Sequence, residues 1–495
     1  MTTITIDDAL NHAGAGRYQR RLMAIFGLVW AADAMQVIAV GFTAASIATS
    51  FELTVPQALQ TGTVFFLGMF LGAMGFGRLA DRIGRRGVLI ATVSCDAVFG
   101  TLSIFAPDFT FLLFMRFLTG AAVGGTLPVD YAMMAEFLPA KNRGRWLVLL
   151  EGFWAVGTLV VAIAAWLLSL WNVAEAWRFI FAVTAVPAII GFGLRFFVPE
   201  SPLYLLRKGR GEEAKAIIDR MVLVNGRSAL GQQVDIAAAT TTGSIGIFSP
   251  ALRRRTLLIL AVWFLVSISY YGVFTWMPPK LAGDGFGFVR GYGFLVLIAL
   301  AQIPGYALAA YGVEKWGRRP TLVAFCILSA MGSILFVVGS TTLLVASSLL
   351  IMSFALLGTW GALYAYTPEL YPTASRATGM GAAGAMARLG GLLAPSLIGL
   401  FVTKDFGLVI GIFAALLLLA GAAVDVEGNS ADADTIVRIR TEAIGICQHK
   451  YVTNATSRPT PDSMESESAP TRSSCSSGAS LRVDPEALQK FPIGN

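Results

Sequence analysis

Charged side chains lie inside long apolar runs of this sequence, where water cannot solvate them. An ionisable residue at the centre of an apolar helix costs roughly 2.5–3.5 kcal/mol, so each one needs a partner or a function. Asp33 lies about 11 residues into its run, which is about 16 Å deep at 1.5 Å per residue. Arg116 lies about 7 residues into its run, which starts at the opposite face of the membrane, and is therefore about 10 Å deep. The sequence therefore predicts that Asp33 and Arg116 pair at a similar depth.

The chemistry open to such a pair is the uptake and release of a proton. A neighbouring guanidinium favours the ionised carboxylate, whereas desolvation favours the neutral acid when the two separate. A proton could then be bound in one state of the protein and released in another. A fixed ion pair that only orients two helices is the alternative interpretation.

Two further charges, Glu151 and Arg388, predict a binding site. Arg388 lies about 15 Å into its run, and a guanidinium at that depth is suited to forked recognition of a carboxylate. Trp154 lies three residues after Glu151 and shares its helical face. Packing or interfacial anchoring is the alternative role for each aromatic residue taken singly. The other aromatic residues predicted to line this site are Tyr270, Tyr271, Trp360 and Tyr364.

The composition shows which elements must position these residues. Apolar residues make up 56% of the 495 residues, charged residues 14%, and the mean hydropathy is +0.68, which excludes a soluble single domain. Twelve apolar runs have close to the roughly 20 residues that a helix needs to cross about 30 Å of hydrocarbon. The sequence predicts an all-α membrane protein with twelve transmembrane helices in two six-helix bundles. The runs lie near 22–48, 58–79, 87–106, 109–135, 145–170, 177–198, 256–278, 291–312, 320–338, 342–366, 378–402 and 405–424.

Two loop sequences occur twice, and both recur at the same separation along the chain. GRLADRIGRR at 77–86 is matched by AYGVEKWGRR at 310–319, so that Asp81 corresponds to Glu314 and Gly84 to Gly317. EFLPAKNR at 136–143 is matched by ELYPTASR at 369–376. Both matches are 233 residues apart, a separation that we call the repeat offset. Landmarks that keep register over such a distance indicate two copies of one unit. Because the charged repeats lie between apolar runs, the two halves are predicted to be parallel repeats in a membrane.

The charges in these repeated loops predict a gate on the inner side of the membrane. Acidic and basic side chains there can form salt bridges that close the inner side when the carrier faces outward. Topogenic charge alone would explain the Lys and Arg residues but not the repeated acids. The predicted gate residues are Asp81, Arg85, Arg86, Glu136 and Arg143 in the first half, and Glu314, Arg318, Arg319, Glu369 and Arg376 in the second.

The distribution of Lys and Arg among the short loops predicts that both termini are cytoplasmic in a cell (inner) membrane. The same asymmetry explains the net charge of +7, so no nucleic-acid partner is needed. The predicted domains are an N-terminal bundle at 1–198, a cytoplasmic connector at 199–255, a C-terminal bundle at 256–424 and a disordered tail at 425–495. A short amphipathic helix is expected at 212–222 within the connector.

Several classes of chemistry are not supported by the sequence. The two histidines, His12 and His449, lie outside the apolar runs, which excludes a Ser-His-Asp triad or a histidine metal site at membrane depth. The four cysteines lack metal-ligand spacing. No Gly-rich loop followed by Lys and Ser/Thr is present, so ATP-driven transport is unsupported. We therefore expect neither an enzyme nor a bound cofactor or metal.

Over residues 1–424 the chain resembles the major facilitator superfamily, on the strength of both copies of the 77–86 motif. RFLTGAAVGG at 116–125 and PESP at 199–202 are similar to sugar porters. DAM at 33–35 and MARLGG at 386–391 are similar to the branch of niacin permeases, metabolite:proton symporters, synaptic vesicle glycoprotein 2 and organic cation transporters. The resemblance implies alternating access, and it implies that Asp33 and Arg116 form the proton-coupling pair. It favours uptake of a small aromatic or nicotinate-like carboxylate with protons, by a carrier that functions as a monomer.

Three departures from the family pattern bear on this interpretation. The seventh run reads SISYYG at 267–272 where sugar porters carry a Gln-Gln…Asn pattern, which disfavours a hexose. Gln36 stands where the niacin-permease branch often has a second acid. The segment 425–495 matches nothing expected at the end of this family. A drug or organic-cation:proton antiporter, a sugar:proton symporter and a non-transporting binding protein are the alternatives.

Overall fold

The computed structural model describes residues 2–140, 143–231, 234–237, 246–283, 291–372, 375–401 and 407–426. The predicted disordered tail therefore lies outside the described residues, apart from its first two positions. A few side chains within helices, including that of Asp81, also lie outside the described part of the chain.

Twelve long helices dominate the described residues, in agreement with the twelve predicted runs. Eleven segments are long and apolar enough to cross a membrane, and α11 is the twelfth long helix. The first half contains α1 (Arg17–Ser50), α2 (Gln60–Ile83), α3 (Arg85–Ile104), α4 (Phe109–Glu136), α5 (Arg143–Glu151 continued by Phe153–Leu170) and α6 (Ala176–Arg195). The second half contains α7 (Arg253–Gly283), α8 (Tyr292–Lys315), α9 (Arg318–Val338), α10 (Thr342–Tyr366), α11 (Arg376–Phe401) and α12 (Gly407–Val426).

The helix ends of the two halves keep the repeat offset. Gly84 separates α2 from α3 at φ 107°, and Gly317 separates α8 from α9 at φ 92°. Both conformations favour glycine because a Cβ would be strained there. Asp108 accepts a hydrogen bond from the Phe111 amide at the start of α4, and Thr341 caps α10 in the same way. Local sequence at equivalent positions therefore sets equivalent helix boundaries.

Small residues bring equivalent pairs of helices into backbone contact. A Cβ added at Gly72 of α2 would clash with the carbonyl of Ala121 in α4. Gly305, which is related to Gly72 by the repeat offset, meets the carbonyl of Phe354 in the same way and joins α8 to α10. Close approach through glycine is the usual way in which membrane helices gain packing contacts.

The connector and the N-terminal segment fold together into one element. Its helices span Pro202–Arg207 and Gly211–Val224, and the second confirms the amphipathic helix expected at 212–222. A strand at Thr2–Thr5 pairs in parallel with Val234–Ala237, and a helix at Ile6–Ala13 follows it. The Asn225 side chain accepts from the Tyr18 amide and donates to the carbonyls of Ala13 and Gly14. No pattern in the sequence indicated this strand pairing.

Candidate functional site

All seven residues predicted to bind substrate line one cavity between the two halves. The cavity has a volume of about 20 Å³, which is space for about one water molecule. Aromatic side chains fill the rest of the region, so the site is closed in this conformation. The seven predicted residues are Glu151, Trp154, Tyr270, Tyr271, Trp360, Tyr364 and Arg388, and they are joined by Trp30, Leu127, Tyr306 and Leu357.

Glu151 and Arg388 form the charged part of this cavity. Each is 3% exposed, and they come from α5 and α11, which belong to opposite halves. Arg388 is the charge that faces Glu151, and it also lies within hydrogen-bonding reach of Tyr364. Among the described residues, Glu151 Oε1 and Arg388 Nε have no hydrogen-bond partner. Both groups therefore retain capacity to bind a ligand.

One turn of α5 is tightened beside Glu151. The helix is interrupted at Gly152, whose amide donates to Val148 O at 3.0 Å. The Ala155 amide donates back to Gly152 O at 3.1 Å, an i→i+3 bond. A tightened turn of this kind inside a helix is common at functional positions. It places Glu151 at the end of one helical segment and Trp154 at the start of the next.

The aromatic walls of the cavity are tied together across the two halves. Trp154 Nε1 donates to the Tyr270 hydroxyl at 2.8 Å, which links α5 to α7. The Tyr270 ring packs edge-on against Tyr271 at 5.1 Å and against Trp360 at 5.8 Å. Edge-to-face packing is favourable for aromatic pairs at these distances. These aromatic rings form a polarisable wall around Glu151 and Arg388, which we call the aromatic box.

A second cluster of charge lies within the first half, around Arg116. The guanidinium donates to Gln36 Oε1 and to Gln36 O, both at 2.7 Å, and is fully buried. The rings of Phe65 and Phe181 lie 4.5 and 4.8 Å from its central carbon. Asp96 of α3 is close enough to Arg116 to interact with it electrostatically.

The sequence predicts Asp33 as the partner of Arg116, and that pairing stays a prediction. The hydrogen bonds described for Arg116 go to Gln36, nearly one turn further along α1. Depth estimates from residue counts do not distinguish positions that are one helical turn, about 5.4 Å, apart. Asp33 is itself 1% exposed, and its role in proton coupling stays a prediction.

The predicted gate residues form equivalent ion pairs inside each half. Arg85 pairs with Glu136 at 2.9 Å, and Arg318 pairs with Glu369 at 2.5 Å. The repeat offset relates both members of one pair to both members of the other. Glu136 also accepts a hydrogen bond from the Ser201 hydroxyl of the connector. The presence of the same pair in both halves is consistent with a repeated structural unit.

The other predicted gate residues have individual partners. Arg86 donates to Val198 O at 2.8 Å, and Arg319 pairs with Asp425 at 2.8 Å. Arg376 donates to Pro368 O at 2.8 Å. Each of these three contacts joins residues of the same half.

One gate residue is tied to the N-terminal segment. Arg143 pairs with Asp7 at 3.1 Å, a residue that lies outside the repeats and was not predicted. Glu314 and Arg318 of the second half approach Gly144 of the first. The side chain of Asp81 lies outside the described residues.

Twelve long helices in two equivalent halves, eleven of them long and apolar enough to cross a membrane, close around a charged and aromatic cavity and define a multi-pass membrane carrier. The chain belongs to the Major Facilitator Superfamily, whose profile matches residues 22–395 and 294–425. It is therefore a transporter of that superfamily, a class that is distinct from enzymes.

Two bacterial relatives cover nearly the whole carrier. The chain is 34% identical over 435 residues to the niacin transporter NiaP of Acinetobacter baylyi, covering 87% of this chain and 97% of that protein. It is 35% identical over 413 residues to the putative niacin/nicotinamide transporter NiaP of Bacillus subtilis, covering 83% and 96%. The partially occluded inward-open structure of the E. coli xylose transporter XylE aligns with a TM-score of 0.63 at 18% identity, covering 82% of this chain and 98% of that one. The last comparison shows the fold alone.

Proposed function

We propose that this transporter carries a small aromatic carboxylate of the nicotinate type across the membrane together with a proton. The observation that carries the proposal is the presence of Arg388 and Glu151, two buried and opposite charges, in one cavity walled by aromatic side chains. The names of the two bacterial relatives support the same substrate class.

Arg388 is suited to bind the carboxylate of such a substrate. A buried guanidinium presents parallel N–H donors that match the two oxygens of a carboxylate. Its Nε–H has no acceptor among the described residues, and Tyr364 lies beside it. An incoming carboxylate would compete with Glu151 for the guanidinium. Substrate binding would thereby release Glu151 from its counter-charge.

The remaining groups fit a nitrogen-containing aromatic ring. Rings such as Tyr271 and Trp360 can stack on a flat substrate. A protonated Glu151 could donate a hydrogen bond to a pyridine nitrogen, whereas the ionised form would favour a protonated ring. Either arrangement gives the site a polar group at each end of the substrate.

Alternating access follows from the contacts that close the cavity. A volume of about 20 Å³ is too small for an aromatic acid, so the two halves must separate for a substrate to enter. The Trp154–Tyr270 hydrogen bond joins the halves and must break during that movement. The ion pairs Arg85–Glu136 and Arg318–Glu369 would stabilise the closed inner side, as predicted for the gate.

Proton coupling is assigned to the acids of the first half. Asp33 is the proposed proton site, with Arg116 as the cation that responds to its ionisation. In the second half, the repeat offset takes Asp33, Asp96 and Arg116 to uncharged positions, which are Val266, Ser329 and Leu349. Departure from the repeat at buried charges supports a function that only one half performs.

Uptake of radiolabelled nicotinate into proteoliposomes, with and without an inward pH gradient, tests the proposal. We expect accumulation that depends on the gradient. Arg388→Lys keeps the charge but loses the fork, so substrate affinity should fall by about 1–3 kcal/mol. Arg145→Lys, at an exposed arginine of α5 that does not line the cavity, is the matched control and should transport normally. Normal affinity in Arg388→Lys for every carboxylate tested would contradict the assignment of Arg388.

The buried Glu151 in an aromatic box favours a second candidate, exchange of an organic cation for protons. A cation is stabilised by aromatic faces and by a carboxylate. Under this alternative, a quaternary ammonium compound would compete for the site and Glu151→Gln would abolish its binding. Nicotinate would then fail to compete.

A further inference from the structure

A second and much larger cavity, of about 820 Å³, lies away from the central site. Its walls come from the first turns of α1, the α2–α3 turn, the segment after α6 and the connector helix Gly211–Val224. These elements meet at the end of the bundle that carries the Arg-rich loops. The cavity is therefore placed where the spanning helices meet the aqueous phase.

Four arginines and two glutamates line this cavity, which leaves an excess of positive charge. Two of the arginines already have acceptors: Arg86 donates to Val198 O, and Arg210 pairs with Glu213 at 2.6 Å. Arg21 and Arg220 are exposed and form no ion pair with any described residue. Two guanidinium groups thus remain available to an anion. The six charged residues are Arg21, Arg86, Glu200, Arg210, Glu213 and Arg220.

The other side of the cavity is apolar and open to the surroundings. Ile83, Phe196 and Phe197 line it with exposed fractions of 58%, 53% and 79%. In water these side chains would be poorly accommodated, but at this height in a bilayer they would contact acyl chains. A ligand that matches the cavity must therefore carry an anionic group next to hydrocarbon.

We propose that this cavity binds an anionic phospholipid of the cytoplasmic leaflet, with its phosphate on Arg21 and Arg220 and its chains along Phe196 and Phe197. Basic pockets between helices on the cytoplasmic side are suited to acidic lipid headgroups. A free phosphate or a soluble organic phosphate would use the same arginines but would leave the exposed aromatic wall uncovered. The adjoining apolar surface is what favours the lipid.

The bound lipid would join three parts of the protein. Arg21 belongs to α1, Arg220 belongs to the connector helix, and Phe196 and Phe197 follow α6. A single headgroup would therefore link the connector to the first bundle at the membrane surface. This role is independent of which substrate the central cavity carries.

Native mass spectrometry of the purified full-length protein tests the proposal. The protein would be titrated with phosphatidylglycerol, with phosphatidylcholine of the same chain length, and with inorganic phosphate. We expect phosphatidylglycerol to bind at least tenfold more tightly than phosphatidylcholine. The double variant Arg21→Gln/Arg220→Gln should lose at least tenfold in affinity for phosphatidylglycerol.

The matched control is Arg17→Gln/Arg20→Gln, which removes the same total charge, both from the first turn of α1, without changing a residue that lines the cavity. It should bind phosphatidylglycerol as the unaltered protein does. Equal losses in both double variants, or equal binding of the two lipids, would overturn the proposal. Arg21- and Arg220-dependent binding of inorganic phosphate without phosphatidylglycerol binding would identify a soluble-anion site instead. Because transport is not measured, failure here would leave the proposed substrate untouched.

Discussion

The Tyr131 hydroxyl donates a hydrogen bond of 3.2 Å to the backbone carbonyl of Tyr364, and the two residues are 233 positions apart. Their rings lie 5.0 Å from each other. The separation equals the repeat offset, so equivalent residues of α4 and α10 meet at the boundary between the halves. Trp30 packs against both rings, and its equivalent, Trp263, packs against Tyr364. The pseudo-symmetry axis of the two halves therefore passes through the aromatic part of the site.

The Trp154–Tyr270 hydrogen bond predicts a non-additive pair of substitutions. Tyr270→Phe removes the bond and keeps the ring, so it should lower the free energy of unfolding by about 1 kcal/mol. Trp154→Phe removes the bond together with the five-membered ring of the buried indole and should cost more. The double variant should lose no more than the larger single loss plus a few tenths, because the bond can be removed only once. Denaturation of the purified protein in detergent measures this. Simple additivity would show that the bond contributes nothing.

The two equivalent ion pairs should differ in strength because they differ in burial. The side chains of Arg85 and Glu136 are 10% and 12% exposed, whereas those of Arg318 and Glu369 are 34% and 47% exposed. Breaking a buried pair costs about 3–5 kcal/mol, but an exposed pair contributes about 0–1 kcal/mol. Glu136→Gln should therefore destabilise the protein clearly more than Glu369→Gln. Thermal unfolding of the two variants side by side checks the order, and the reverse order would contradict the argument.

Membrane orientation is checked by cysteine labelling. Ser228 lies in the connector and Thr341 lies between α9 and α10, and both are exposed. In a background whose four native cysteines are replaced, Ser228→Cys and Thr341→Cys should react with an impermeant reagent from opposite sides of sealed vesicles. Labelling from one side only would refute the twelve-span topology.

The helices and the repeat could be predicted because they depend on local sequence. Apolar runs of sufficient length define the spans, and Gly84 and Gly317 end helices because each adopts a positive φ that favours glycine. The central site could be predicted for a related reason. Glu151 and Arg388 are too costly to bury in an apolar helix unless they meet, and the structure places them opposite each other.

The features that sequence did not reveal depend on distant contacts. The pairing of Thr2–Thr5 with Val234–Ala237 joins the N-terminal segment to the connector, and the whole first bundle separates the two strands in the sequence. Neither strand has a distinctive sequence pattern. Trp30 and Tyr306 line the cavity but resemble ordinary core aromatics in an apolar run. The hydrogen bonds from Arg116 to Gln36 depend on the rotation of α1 and on its position along the helix axis to within one turn. Only the packing of the assembled helices determines that rotation and position.

Asp33 and Asp96, two buried acids of the first half, should have separable roles. Asp33→Asn removes the titrating carboxyl while preserving its shape, so the variant should bind substrate and exchange it across the membrane without accumulating it. Asp96→Asn removes an acid that interacts electrostatically with Arg116, yet the guanidinium keeps both hydrogen bonds to Gln36. It should therefore fold with reduced stability and retain pH-driven accumulation. Counterflow and gradient-driven uptake, measured on both variants in proteoliposomes, separate the two roles. If Asp33→Asn still accumulates substrate and Asp96→Asn does not, the proton site is the Asp96–Arg116 pair, and the proposed role of Asp33 is wrong.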